Sequence, residues 1–262
     1  MRSKILWTIL LCLGFTSLLL AGTLREEFDQ TFDFRNGGQL NLSNVNGGVT
    51  IESWDRNEVR VEAEKIVKAR NRNVAEEVME EIRIEIEHDR DYLDIQTRIP
   101  KRRRGGLWDA FWGDNVSISV KYRLTVPRDL DLKVSTVNGS VDVYEVSGLI
   151  RVTSTNGHVH VYRAQGTVDA KTTNGGIQAE LIEFDRDEDM TFRTTNGGIK
   201  VYFPRDFSAY LDVRTTNGSI KTDFPLQVRS RFKKNRLQGK VNRGGGRITL
   251  NTTNGSIRIL ER

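Results

Sequence analysis

A single cysteine in 262 residues, Cys12, excludes an intrachain disulfide framework and a thiolate metal site. Prolines number only four against 23 glycines, a balance that disfavours Pro-rich linkers and favours many tight turns. The three histidines, His88, His158 and His160, leave little for metal or acid–base chemistry. No G-x-S-x-G elbow, Walker loop or H-E-x-x-H helix is present, and the Gly-Gly pairs fit neither a dinucleotide fingerprint nor a calcium-binding nonapeptide. Acidic residues are missing from 224–260, which carries Arg229, Arg231, Lys233, Lys234, Arg236, Lys240, Arg243, Arg247 and Arg258.

One long apolar run is present, at the start. Arg2 and Lys4 precede an almost wholly apolar stretch from Ile5 to Ala21. Residues 1–22 therefore read as a signal peptide, with an uncleaved anchor as the alternative because Leu19 and Leu20 stand where small residues are preferred. Leu11 before Cys12 is not the small residue that precedes a lipoprotein cysteine. Cleavage would remove the only cysteine and take the formal charge from +5 to +3. Export without disulfides fits a bacterial envelope protein: periplasmic, cell-surface or secreted. Hydrophobic residues at 37% and charged residues at 29% place the remainder among globular chains.

The remainder is dominated by a repeat. "KTTNGGIQA" (171–179), "RTTNGGIKV" (193–201), "RTTNGSIKT" (214–222) and "NTTNGSIRI" (251–259) are near-copies. Gly follows Asn at Asn46, Asn138, Asn156, Asn174, Asn196, Asn217 and Asn254. Positions six and four before Asn are apolar in every copy, as is the third after it. The fifth after is apolar in all but one, where Thr222 stands. The position two before holds a small polar residue: Asn44, Thr136, Ser154, Thr172, Thr194, Thr215 or Thr252. Such period-2 alternation on both sides of a turn reads as half-buried strands. Asn-Gly supplies positive φ cheaply, so a sharp bend is expected there.

Two architectures satisfy the pattern: an antiparallel β meander or sandwich of Asn-Gly hairpins, and a β-solenoid of ~20-residue coils with the same corner in each. Near-identity of successive copies favours the solenoid, since stacked Thr and Asn can share hydrogen bonds between coils. The expected division is a signal peptide at 1–22, a first β repeat at 23–53, an α+β insert or cap at 54–126, and a β-repeat domain at 127–262. Within the insert, "NVAEEVMEEI" (73–82) predicts a short amphipathic helix, and 82–87, 92–97 and 116–126 predict strands, with His88 in an exposed turn. The insert is expected to cover one end of the solenoid, whose strand edges need a cap.

Two basic segments interrupt the pattern. "KRRRGGLWDAFWGDN" (101–115) sets Lys101, Arg102, Arg103 and Arg104 before Trp108, Phe111 and Trp112. It reads as a loop whose aromatics fold back on the cap, or as a surface-contact hook for an anionic headgroup, glycan or envelope protein. The 224–260 segment, with Arg231, Lys233, Lys234 and Arg236, reads as a polyanion-contact patch or as a solvated loop balancing the acidic run 183–189. "NRGGGR" (242–247) reads as mobile. His158 and His160 lie two apart, facing outward, with Asp142 or Gln178 stacked on His160. Two His and an Asp could ligate zinc, but no further ligand is evident, and no metal or cofactor is expected. The outward column four after Asn holds no carboxylate pair set for glycosidase chemistry.

"LNLSNVNGGVTIESWDRNEVRVEAEK" (40–65), "YRLTVPRDLDLKVSTVNGSVDV" (122–143) and the Thr-Thr-Asn-Gly copies resemble the bacterial putative-adhesin family, a β-strand-repeat domain of unknown function. The resemblance covers most of 28–262. It implies an envelope-associated, solenoid-like protein without known catalysis, and it carries over no catalytic residue. The functional expectation is an exported, non-catalytic, adhesin-like scaffold for surface or polyanion contact, with no nucleic-acid partner. The alternatives are a membrane or envelope-stress sensor and a polysaccharide-active enzyme.

Overall fold

The structure, a computed structural model, describes residues 23–99, 116–227 and 235–262. Its strands form two parallel ladders, one from the strands before each Asn-Gly corner and one from those after. The pre-corner ladder is built on β2 (Gln39–Ser43), β8 (Asp131–Asn138), β10 (Ser147–Asn156), the C-terminal half of β11 (Val159–Lys171), β13 (Met190–Arg193), β19 (Arg247–Asn254) and β15 (Ala209–Asn217). The post-corner ladder is built on β3 (Val49–Trp54), β9 (Val141–Tyr144), the N-terminal half of β11, β12 (Ile177–Glu183), β14 (Ile199–Phe203), β20 (Ile257–Glu261) and β16 (Ile220–Thr222). Equivalent residues of different copies pair across parallel strands, which is the solenoid and not the meander.

The order in space departs from the order in sequence. Copies 46, 138, 156, 174 and 196 stack in turn, but the next coil is the last copy. β19 lies between β13 and β15, and β20 lies between β14 and β16. The Asn254 coil is thus internal and the Asn217 coil lies outside it.

The apolar columns meet between the ladders. Leu40, Leu132, Ile150, Val168, Met190, Ile248 and Leu211 are buried six before the corner, and Val49, Val141, Val159, Ile177, Ile199, Ile257 and Ile220 are buried three after it. At the corner itself the asparagine side chains form an unbroken amide ladder. Each Nδ2 donates to the next Oδ1 at 2.6–2.8 Å, in the order Asn217, Asn254, Asn196, Asn174, Asn156, Asn138, Asn46. The column two before Asn is buried, but its hydroxyls do not bond one another as the sequence suggested. Five of the six donate instead to the glycine carbonyl of the neighbouring coil: Ser154 to Gly139, Thr172 to Gly157, Thr194 to Gly175, Thr252 to Gly197 and Thr215 to Gly255, at 2.8–3.1 Å. Among the described residues Thr136 Oγ1 is buried with no partner. Its place in the ladder faces the Gly47 carbonyl, which already accepts from Asn44 Nδ2 at 3.2 Å.

The corner glycine is required for a different reason from the one expected. Of the seven, only Gly47 has positive φ. At Gly139, Gly157, Gly175, Gly197, Gly255 and Gly218 a Cβ would instead fall 2.0 Å from the carbonyl oxygen of the glycine stacked beside it. Close approach of backbones, not a left-handed turn, selects glycine there.

The two ends are closed differently. At one, β6 (Tyr92–Arg98) and β7 (Ser117–Pro127) extend the ladders in parallel beyond β2 and β3. Antiparallel strands then take over: β5 (Arg83–Asp89) on β6, β4 (Glu58–Lys68) on β7, and β1 (Thr23–Asp33) on β4. Helix α1 (Arg72–Glu81) buries Val74, Ala75, Val78 and Met79, and Asn71 caps it by accepting from the Asn73 N–H. His88 lies on β5, not in a turn, with its ring 5.0 Å from that of Phe32. At the other end β18 (Arg236–Val241) pairs antiparallel with β15, β17 (Leu226–Gln227) pairs with β18, and Phe203, Phe207 and Phe224 form an aromatic plug. Antiparallel closure changes the edge that a parallel stack would leave open. The 242–247 segment, expected to be mobile, is held there. Asn242 Nδ2 donates to the Phe207 carbonyl at 2.7 Å, and the N–H of Arg247 donates to Asp189 Oδ1 at 2.6 Å.

Candidate functional site

Alternation along each post-corner strand puts residues two, four and six after Asn on its outer face. Strand pairing sets the fourth position into one file: Thr50, Asp142, His160, Gln178, Lys200, Arg258, Lys221. One end of the file is neutral to acidic, and the other is three adjacent cations. Neighbouring strands are about 4.8 Å apart, so the backbones of Lys200, Arg258 and Lys221 repeat at that interval. Like charges on adjacent strands are mutually unfavourable in the free protein and favour an anion between them. Within the file Asp142 Oδ1 is bonded to His160 Nδ1 at 2.8 Å, and in the next outer column Glu180 is paired with Arg262 at 2.5 Å while Asp223, two residues beyond Lys221, accepts from the Glu261 N–H at 3.2 Å. Among the described residues none of the three cations is in an ion pair. Lys200 Nζ lies 5.0 Å over the Tyr202 ring.

Beside the cations the face drops into an open groove of ≈ 370 Å³, lined by His158, His160, Gln178, Lys200, Arg258 and Ser256 over a floor that includes Gly176 and Gly198. The groove exists because two coils carry glycine in the column that holds His158 in the coil before them. Its volume is at the low end of the about 300–1,000 Å³ of small-ligand clefts. His158 and His160 rings stack at 5.9 Å and 8°. The row continues to Tyr162 at 5.8 Å from His160, and Tyr162 stacks on Tyr144 at 4.9 Å. Burial, with Tyr144 and the Asp142 charge beside it, pushes the Tyr162 phenol above its ordinary value, so it stays a protonated hydrogen-bonding group.

The pre-corner ladder carries a second row. Lys171, Arg193, Asn251, Arg214 and Arg236 are successive partners, three before Asn in their coils and then on β18. Arg214 is tied to Asp212 through two bonds of 3.0 Å. The amide ladder of the corner therefore runs as a ridge between two basic rows.

Of the contact residues expected from sequence, Arg236 takes its place at the end of this second row, where it bonds the Gln238 side chain at 3.2 Å. Lys101, Arg102, Arg103, Arg104, Trp108, Phe111, Trp112, Arg231, Lys233 and Lys234 lie outside the described residues. His160 is flanked by both Asp142 and Gln178. Asp142 bonds the imidazole Nδ1 and orients the ring, as an outer partner does. Among the described residues no group of three or more His, Cys, Asp or Glu is placed to hold a metal ion. The groove was missed from sequence. Its signals were the paired glycines Gly175–Gly176 and Gly197–Gly198 and the cations at one end of the outward file.

A parallel two-ladder β-solenoid with an antiparallel cap and a basic outer face defines the class. The chain belongs to the Toastrack DUF4097 family, whose model matches residues 39–260. Among solved structures it is similar to a putative cell adhesion protein from Clostridium sporogenes, at 9% identity and a TM-score of 0.47 over 91% of this chain and 100% of that one. A putative adhesin from Bacteroides fragilis aligns at 11% identity and a TM-score of 0.34, over 90% and 97% of the two chains. A putative lipid binding protein from Parabacteroides distasonis aligns at 12% and 0.34, over 89% and 96%. Likenesses at this level say nothing about a ligand. No curated protein matches the chain. Among the described residues no helix is long and apolar enough to cross a membrane.

Proposed function

We propose that this protein is an exported, non-catalytic scaffold of the cell envelope whose basic solenoid face contacts a polyanion. The observation that carries this reading is the file Lys200–Arg258–Lys221, three cations one strand apart with no ion-pair partner among the described residues. A rigid sheet fixes the spacing of their backbones, so binding has to order the side chains but not the main chain. Export is supported by the apolar 5–21 segment behind Arg2 and Lys4. A contact role is supported by what the face offers among the described residues: a wide array of donors and cations, and no pair of free carboxylates.

Binding of the protein without residues 1–22 to immobilised dextran sulfate, with neutral dextran as the control, tests this reading. At low salt the sulfated polymer is bound and the neutral one is not, and affinity falls steeply as salt rises. Lys200→Glu, Lys221→Glu and Arg258→Glu together reduce that affinity at least tenfold. A wild type that ignores dextran sulfate at low salt, or a triple variant that binds it equally well, contradicts the reading.

A further inference from the structure

The groove beside the cations has a hydrogen-bonding pattern that charge alone does not require. A backbone N–H can only donate, so the bond of 2.9 Å from Gly176 N to His158 Nδ1 makes that nitrogen an acceptor. The proton of the neutral ring is then on Nε2, which is a donor. An ionised carboxylate can only accept, so the Asp142 contact makes His160 Nδ1 the donor. The Nε2 of neutral His160 is then an acceptor. Two parallel imidazoles thus offer one donor and one acceptor through equivalent atoms, each fixed by a different partner on a neighbouring strand. Gln178, paired with both His160 and Lys200, adds an amide that both donates and accepts.

Sulfate and ionised phosphodiester or chain-internal polyphosphate oxygens are acceptors only. They suit His158 Nε2, Lys200 and Arg258, but leave His160 Nε2 without a donor. A hydroxyl both donates and accepts, so neighbouring hydroxyls satisfy both rings at once. Gly176 and Gly198 leave the floor without side chains, so a flat ring can lie against it. The cations stand at the far side of the same groove, within reach of a carboxylate on that ring or the next.

We propose that this groove is a subsite for an acidic polysaccharide, with ring hydroxyls on His158, His160 and Gln178 and the acidic group on Lys200 and Arg258. The proposal rests on the polyanion reading for its charge and adds the ligand class.

The test compares three probes on the protein without residues 1–22: an oligogalacturonate, an inorganic polyphosphate of similar charge, and phosphatidylglycerol vesicles. The oligogalacturonate binds more tightly than either of the others at equal charge. His158→Phe with His160→Phe keeps two stacked rings and removes the nitrogens. It lowers oligogalacturonate affinity at least tenfold and leaves polyphosphate affinity within a factor of two. Gln178→Ala, which touches no backbone bond, shows the same selectivity on a smaller scale and covers the case in which the double variant unfolds. Equal loss for both soluble probes, no loss for either, or tightest binding to the vesicles overturns the subsite and leaves the polyanion reading standing. Failure of all three probes to bind at low salt overturns both.

Discussion

Ending the chain after Gly246, which removes β19 and β20, is expected to abolish the native fold of everything beyond β14. In a solenoid stacked in chain order, loss of the last coil trims one end. Here the last coil is internal. It carries Ile248, Leu250, Ile257 and Ile259 into the core, each at 0–1% exposure. At about 1.5–3 kcal/mol for each buried aliphatic side chain, the loss is comparable to the whole stability of a domain, about 5–15 kcal/mol. The Asn217 coil cannot simply close the gap. The link from β14 to β15 spans two strand spacings, roughly 10 Å, and is pinned by the buried Phe207 stacked on Phe203 at 4.5 Å. Hydrogen exchange is expected to show lost protection across 209–227 and 236–241, with 39–54 and 131–171 still protected. A truncated protein that keeps protection in 209–222 would place the last coil at an end.

Replacing Gly197 by alanine is expected to cost about 3 kcal/mol or more. Its Cβ would fall 2.0 Å from the Gly175 carbonyl oxygen and 2.5 Å from the carbonyl carbon. Both obstacles are backbone, so no rotamer relieves them, and overpacking of this kind costs about 1–3 kcal/mol, occasionally more. Gly197 is itself approached from the other side, since a Cβ on Gly255 would meet its oxygen at 2.0 Å. Spreading the coils would lengthen the amide bonds of Asn196 to Asn174 and of Asn254 to Asn196 as well. For a protein of this size the expected fall in Tm is roughly 6–12 °C. Gly48→Ala is the control. It stands one residue after the corner glycine Gly47, outside the stacked column, and its Cβ would meet nothing closer than 3.7 Å. It is expected to change stability by no more than about 0.5 kcal/mol. Equal effects at the two positions would mean that the coils are not in close backbone contact.

Much of this architecture was legible because the repeat writes it seven times. A single Thr-Thr-Asn-Gly cannot separate a hairpin from a solenoid corner, whereas seven in one register can, and the apolar columns read from them are the columns that are buried. Coil order was not legible, because the copies are interchangeable: the strands flanking Asn196, Asn217 and Asn254 have the same pattern, so either of the last two fits beside the first. The reason for the corner glycine was misread because positive φ is a property of one turn, whereas a close approach involves a second coil that no local sequence shows. The groove was hidden for the same cause. His158, Gln178, Lys200 and Arg258 come from four coils, and Arg258 stands next to Lys200 only because the last coil is internal.

That placement is the central claim, and engineered disulfides test it most directly. The protein without residues 1–22 has no cysteine of its own, so a pair can be introduced cleanly. Arg193 and Asn251 are register partners on adjacent strands, as are Asn251 and Arg214. Adjacent partners are within the Cα separation of about 4.4–6.8 Å that a disulfide spans, and positions two strands apart are beyond it. Arg193→Cys with Asn251→Cys is expected to cross-link under mild oxidation, and Arg193→Cys with Arg214→Cys to stay reduced. Cross-linking of the second pair and not the first would put the coils in chain order and remove Arg258 from the side of Lys200.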